Sequence, residues 1–177
     1  VLPAVGLIGI CLMARLRGLA IPVVAASIIN PATTDPAIMT NPFRDNAQRE
    51  EFLTKPRLAI LITNDDPGAP IGVPVWFEWT GTKVQMFAGK ETPKINRIKR
   101  DPHASVLVTN AVEEREAWVA FDGPIDVRDE GGIELATRLA DRYWDLGNEQ
   151  RRTVLSSWQQ TPESFCLLTL KPERIRV

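Results

Sequence analysis

Histidine, tyrosine and cysteine are nearly missing from this 177-residue chain, which has one His, one Tyr and two Cys. Each scarcity removes a class of chemistry. With His103 alone, no His-rich metal centre and no Ser-His-Asp or Cys-His set can be assembled, and the acidic residues fall mostly in turns and on predicted helix faces. Cys11 and Cys166 lie far apart without Cys-x-x-Cys spacing, so neither a zinc site nor a disulfide framework is indicated and a reducing compartment is the simple reading. Charge of one sign is also lacking. A formal net charge of -1 gives no global attraction to nucleic acid or anionic membrane. What remains, 44% hydrophobic and 24% charged residues, is ordinary for a globular domain with a proper core.

Long apolar runs are missing too. The stretch from Val1 to Ala14 is too short to span a bilayer, and Arg15 and Arg17 interrupt its continuation. No acidic residue precedes Asp35. This sets residues 1–38 apart as an extension: a disordered or mis-assigned start, or a targeting segment with Arg15 and Arg17 as its basic region and Ala25-Ala26-Ser27 as a small-residue cleavage site. Met39-Thr40-Asn41-Pro42-Phe43 reads as a natural beginning, and function is expected in residues 39–177.

That part alternates short strands with a few helices. A helix from about Asn46 to Leu53 is closed by Pro56, and Leu58 to Thr63 is a nearly continuous apolar run that suits a buried strand. Asp65-Asp66-Pro67-Gly68 is turn chemistry. Strand two then alternates: Val73, Val75, Phe77 and Trp79 face one way, and Pro74, Trp76 and Glu78 the other. Thr80-Gly81-Thr82 turns into a strand from Lys83 to Ala88, and Ser105 to Thr109 and Ala117 to Val127 are further strands. Glu113-Glu114-Arg115-Glu116 is a charged hairpin tip, solvated by default, and His103 on its connection is read as exposed. Helices are expected over Gly131 to Trp144 and Asn148 to Trp158, and a last clear strand over Phe165 to Leu170.

The richest window runs from Val84 to Val108. Thr92 is a suitable N-cap, its hydroxyl able to accept from an unpaired backbone N–H, and Pro93 suits the first helical position. The helix that follows buries Ile95 and Ile98 and offers Lys94 and Arg97, while Lys90 precedes the turn. An anion at this helix N-terminus would meet free N–H groups and several cations. An ordinary capped surface helix with solvated cations fits the same window.

The ordered series of these segments resembles the pyridoxamine 5'-phosphate oxidase-like flavin-binding split barrels. The matching pieces are Arg57 to Asn64, Asp65 to Pro70, Val73 to Phe77, Phe87-Ala88-Gly89 with Thr92-Pro93-Lys94, Asn96 to Pro102, Ser105 to Val108, Trp118 to Val127 and the Pro172-Glu173-Arg174 tail. The resemblance implies an antiparallel six-stranded split β-barrel of Greek-key type with helical additions, mainly β. It implies a homodimer with FMN between the subunits, a small-molecule substrate, no nucleic acid, no stable membrane association and a cytoplasmic location. Lys94 is then the first phosphate contact, with Thr92 assisting and Lys90 and Arg97 as further candidates. Pro74, Val75 and Trp76 would flank the isoalloxazine ring, and Ala88 and Gly89 would allow its close approach. Trp76 suits a dimer interface or a neighbouring helix equally well.

The expected function is hydride transfer between a reduced donor and a small acceptor, with the flavin supplying the redox chemistry. The chain departs from true pyridoxamine-phosphate oxidases at its end, Arg174-Ile175-Arg176-Val177, where no substrate-gripping aromatic follows, so oxidation of vitamin B6 is not expected. Two other readings stay open: a deazaflavin coenzyme on the same fold, whose acidic tail Lys99 and Arg100 could meet, and a flavin- or haem-binding sensor or carrier without turnover. An oligonucleotide-binding barrel would want exposed aromatics interleaved with a basic stripe.

Overall fold

A computed structural model of the chain describes Phe43, residues 45–65 and residues 67–177. The expectations for residues 1–38, for the Met39 start, for Cys11 and for Asp66 lie outside the described residues.

Asp45 opens the first helix, α1 (Asn46–Thr54), by accepting at 2.9 Å from the Gln48 backbone N–H. Its buried residues are Phe52 and Leu53. Beyond Pro56 the apolar run becomes β1 (Ala59–Thr63), where Ala59, Leu61 and Thr63 are buried. This strand pairs on one side with β2 (Ile71–Val75) and on the other with β5 (His103–Thr109), both antiparallel.

The alternation over residues 73–79 holds, but the strand is broken. Trp76 and Phe77 separate β2 from the two-residue β3 (Glu78–Trp79), which pairs with β4 (Val84–Gly89). The break moves the chain from one half of the barrel to the other. Phe77 is fully buried at the crossing, and the Tyr143 hydroxyl sits beneath it, donating at 2.6 Å to the Arg57 carbonyl. At the following turn Gly81 has φ +85°, the left-handed region that favours glycine.

The long strand β6 (Trp118–Arg128) belongs to both halves. Residues 118–124 pair with β5, and residues 125–128 with β7 (Phe165–Leu170). The change occurs at Gly123-Pro124. A side chain at Gly123 would stand 2.7 Å from the Lys171 carbonyl oxygen, so only glycine lets the connection after β7 cross there. That connection leads to β8 (Arg174–Arg176), which returns to pair with residues 120–122 of β6. The strand order is β2-β1-β5-β6-β7-β4-β3, with β8 on β6. Every pairing is antiparallel. The six strands of five or more residues form the expected split barrel; β3 and β8 are short additions too brief to show in the sequence pattern.

Three more helices close the barrel: α2 (Pro93–Arg100), α3 (Gly132–Tyr143) and α4 (Glu149–Gln159). Helix α3 buries Leu135, Ala136, Leu139 and Ala140 against β4 and β7. It enters so close to β7 that a side chain at Gly132 would lie 2.7 Å from the Cys166 carbonyl carbon. Phe77, Phe121, Leu61, Met86 and Leu168 fill the interior with no exposed surface. Each such large side chain contributes roughly 1.5–3 kcal/mol relative to exposure.

Candidate functional site

The turn between β4 and α2 is built by Thr92. Its hydroxyl donates at 2.8 Å to the Gly89 carbonyl instead of accepting from the helix, so α2 has no side-chain cap. This differs from the cap expected of Thr92. The hydroxyl tightens the turn and leaves the start of the helix to its own dipole. A side chain at Gly89 would meet only the Thr92 methyl, at 3.4 Å, an ordinary contact. Packing within the chain therefore does not require glycine there.

The cations of this elbow differ in their surroundings. Arg97 is 8% exposed, and its Nε donates at 2.8 Å to the hydroxyl of buried Thr63. Among the described residues no carboxylate forms an ion pair with it or with Lys94. Lys94 is half-buried, and burial, with a smaller contribution from Arg97, lowers its pKa against an opposing pull from Cys166. Lys90 faces Asp129 at 3.5 Å. One buried and one half-buried cation, neither with an ion-pair partner among the described residues, form a ready receptor for a phosphate group. The residues present fit such a group.

Pro74 is exposed, Val75 is 7% exposed and pairs with Ala59, and Ala88 is 4% exposed beside Cys166 on β7. Trp76 stacks on Tyr143 with ring centroids 5.1 Å apart and planes 6° from parallel. Trp144 meets it edge-on at 4.8 Å, and Trp158 and Phe87 close the group at 6.3 and 6.0 Å. The structure thus unites Trp76 with helices α3 and α4. It brings Lys90, Thr92, Lys94 and Arg97 to one elbow, with Gly89 and Ala88 leading into it. His103 opens β5 and is exposed, its Nδ1 3.1 Å from the Asp101 carboxylate.

On the outer face of β1, β5 and β6 lies a cavity of about 490 Å³, with Ile62, Leu107, Trp118 and Ala120 among its lining. At its edge Asp122 accepts from Ser105 at 2.6 Å and from the Arg176 guanidinium at 2.7 and 2.8 Å. The Arg176 bonds, chiefly, hold the Asp122 carboxyl below its usual range.

Residues 46–177 match the family model for pyridoxamine 5'-phosphate oxidase. The chain belongs to this family. Among curated proteins no sequence matches it. Solved structures share the fold of this pyridoxamine 5'-phosphate oxidase-family chain. A conserved hypothetical protein of Mycobacterium tuberculosis is similar at 18% identity and a TM-score of 0.59, over 76% of this chain and 84% of that one. An F420 reductase is similar at 18% identity and a TM-score of 0.57, over 72% of this chain and 94% of its own. A candidate pyridoxamine 5'-phosphate oxidase from Listeria innocua gives 18% identity and a TM-score of 0.53, over 73% and 94%. At these identities the likeness establishes the split-barrel fold. Among the described residues no helix is long and apolar enough to cross a membrane.

Sequence reasoning missed the Arg57–Glu114 pair. Arg57 is 8% exposed, stacks on the Phe52 ring and forms a two-pronged ion pair with Glu114, on the tip read as solvated. Nothing local marked Glu114 among its acidic neighbours, because its partner lies 57 residues away. The Tyr143 bridge between Arg57 and Phe77 was missed as well. The scarcity of tyrosine was its one signal.

Proposed function

We propose that the chain is an FMN-dependent oxidoreductase that transfers hydride between a reduced donor, such as a nicotinamide, and a small acceptor. It acts as a cytoplasmic homodimer, with residues 39–177 carrying the activity. The observation that carries this reading is the pair of cations in α2, buried Arg97 and half-buried Lys94, neither of which forms an ion pair with a carboxylate among the described residues. Family membership supports it.

A bound flavin supplies the redox chemistry, and the protein supplies the binding and orientation. Lys94 and Arg97 hold the phosphate, with Thr92 shaping the turn and Lys90 contributing from its edge. Gly89, beside Ala88, gives the ligand access to backbone. Pro74, Val75 and Trp76 line the ring, and the stacked Tyr143 fixes the Trp76 side chain as a rigid wall. The apolar outer face is where a second copy closes the site and excludes water.

A deazaflavin coenzyme is the second reading, favoured by the shared fold of the F420 reductase. An absorption spectrum of the purified protein, with chromatography of the ligand released on denaturation, tests both. FMN in the released fraction supports the first reading and a deazaflavin the second. Haem, or no binding of either flavin type on titration, refutes both.

A further inference from the structure

Among the described residues the buried polar side chains are Arg57, Thr63 and Arg97, and the two arginines are compensated differently. Arg57 meets the Glu114 carboxylate with two nitrogens, whereas Arg97 has the Thr63 hydroxyl, which accepts from its Nε at 2.8 Å. No other hydrogen bond from the Arg97 guanidinium reaches a described residue. Its Nη atoms are nevertheless not sealed from solvent, because the sealed side-chain nitrogens without a partner are Arg49 Nε and Arg142 Nε. Thr63 ends the inward row of β1, after Ala59 and Leu61, and is 1% exposed. The two residues that follow it hold the far end of α2: Asn64 donates at 2.8 Å to Asp101, and Asp65 accepts at 2.9 Å from Arg100. Three consecutive side chains thus fix one helix, and the carboxylate among them goes to Arg100, not to Arg97. A buried cation without a counter-charge costs stability, and a bound anion offsets that cost.

We propose that Thr63 is a positioning residue of the anion site: its hydroxyl fixes the Arg97 guanidinium through Nε and leaves the Nη groups, and the whole positive charge, to a phosphate. The proposal rests on the cofactor reading above and deepens it. A carboxylate in the place of Thr63 would orient the arginine equally well, but it would neutralise the charge and repel the ligand. A neutral acceptor orients without competing. The charge of Arg97 is felt at Lys94, one helical turn earlier, so holding one guanidinium in place orders both cations of the elbow. Loss of the hydroxyl leaves a buried N–H without an acceptor and frees the guanidinium to turn towards another. The site then keeps its charge and loses its aim.

The test is titration of the full chain with FMN and with riboflavin, the same ring without the phosphate, so that the ratio of the two dissociation constants isolates the phosphate contribution. Thr63→Val keeps the shape of the side chain and removes the hydroxyl. It should lower FMN affinity roughly tenfold, the scale of one hydrogen bond to a charged group, and leave riboflavin affinity near that of wild type. Thr63→Ser, which keeps the hydroxyl, should retain the wild-type ratio. In the wild-type protein the Arg97 Nε–H resonance should exchange slowly with and without FMN, while the Nη resonances shift on adding FMN and not on adding riboflavin. That readout needs no variant and decides the matter should Thr63→Val fail to fold. An equal loss of affinity for FMN and riboflavin in Thr63→Val, an unchanged ratio, loss of the ratio in Thr63→Ser, or Nη resonances indifferent to FMN overturns the positioning role while the cofactor reading stands. A wild-type protein that binds neither flavin removes both.

Discussion

Lys94→Met is the perturbation that separates a binding cation from a structural one. Methionine keeps most of the buried stem and removes the charge. A charge-assisted contact to a phosphate contributes about 1.5–3 kcal/mol, or roughly 10- to 150-fold in Kd. Because Lys94 is half-exposed, solvent screening favours the lower part of that range, about 10- to 30-fold. The free protein should respond in the opposite direction. Burial lowers the Lys94 pKa, so between the native and unfolded values the unfolded chain binds more protons and stability rises with pH; below the native value the cost of the buried charge is present in full. Removing that charge leaves the Tm of the ligand-free protein equal or higher at pH 7. The assay is a thermal melt with and without FMN, beside a titration for Kd. A tenfold loss of affinity lowers the stabilisation by excess FMN by about 1.4 kcal/mol. An unchanged Kd would refute the reasoning, and so would a loss of affinity accompanied by a fall in the ligand-free Tm.

Glu114→Gln should lower the Tm at pH 7, because it leaves the Arg57 guanidinium buried without its carboxylate partner. Hydrogen bonding to Arg57, first, and to the Ala111 N–H holds the Glu114 pKa at about 2, from an ordinary 4.5. The stabilisation is therefore present in full above pH 4.5 and is lost as pH falls towards 2, so the melting curves of wild type and variant should converge over that interval. A Tm gap that persists at the acid end would show that the pair is not its source. Gly132→Ala should cost about 1–3 kcal/mol in a denaturant melt, because the new methyl lies 2.7 Å from the backbone of β7; a neutral result would mean that α3 can shift away from the strand.

Local signals made much of this fold legible. Turn residues, proline stops and alternation each act within a few positions, which is why Phe165–Leu170 appears at its expected bounds and, the second strand apart, the other long strands and helices within two residues of theirs. Ile95 and Ile98 are buried as their spacing requires, at 1% and 2% exposure. The exceptions are long-range. Alternation continued through Trp76 and Phe77, yet the ladder stops there, because pairing partners, and not side-chain period, decide where a strand ends. Arg97 looked like one more cation on a basic helix. The approach of α2 to β1 buries it against Thr63, and no helical pattern encodes that contact.

The same distinction governs the candidate site. The residue types at the elbow were legible, since a Gly-Lys turn followed by Thr-Pro-Lys combines close approach, a helix start and positive charge in one short window. Its boundary was not. Asp129, Glu130 and Glu134 come from the end of β6 and the start of α3, and Glu163 from the turn before β7, so their meeting with Lys90 depends on how three distant segments pack.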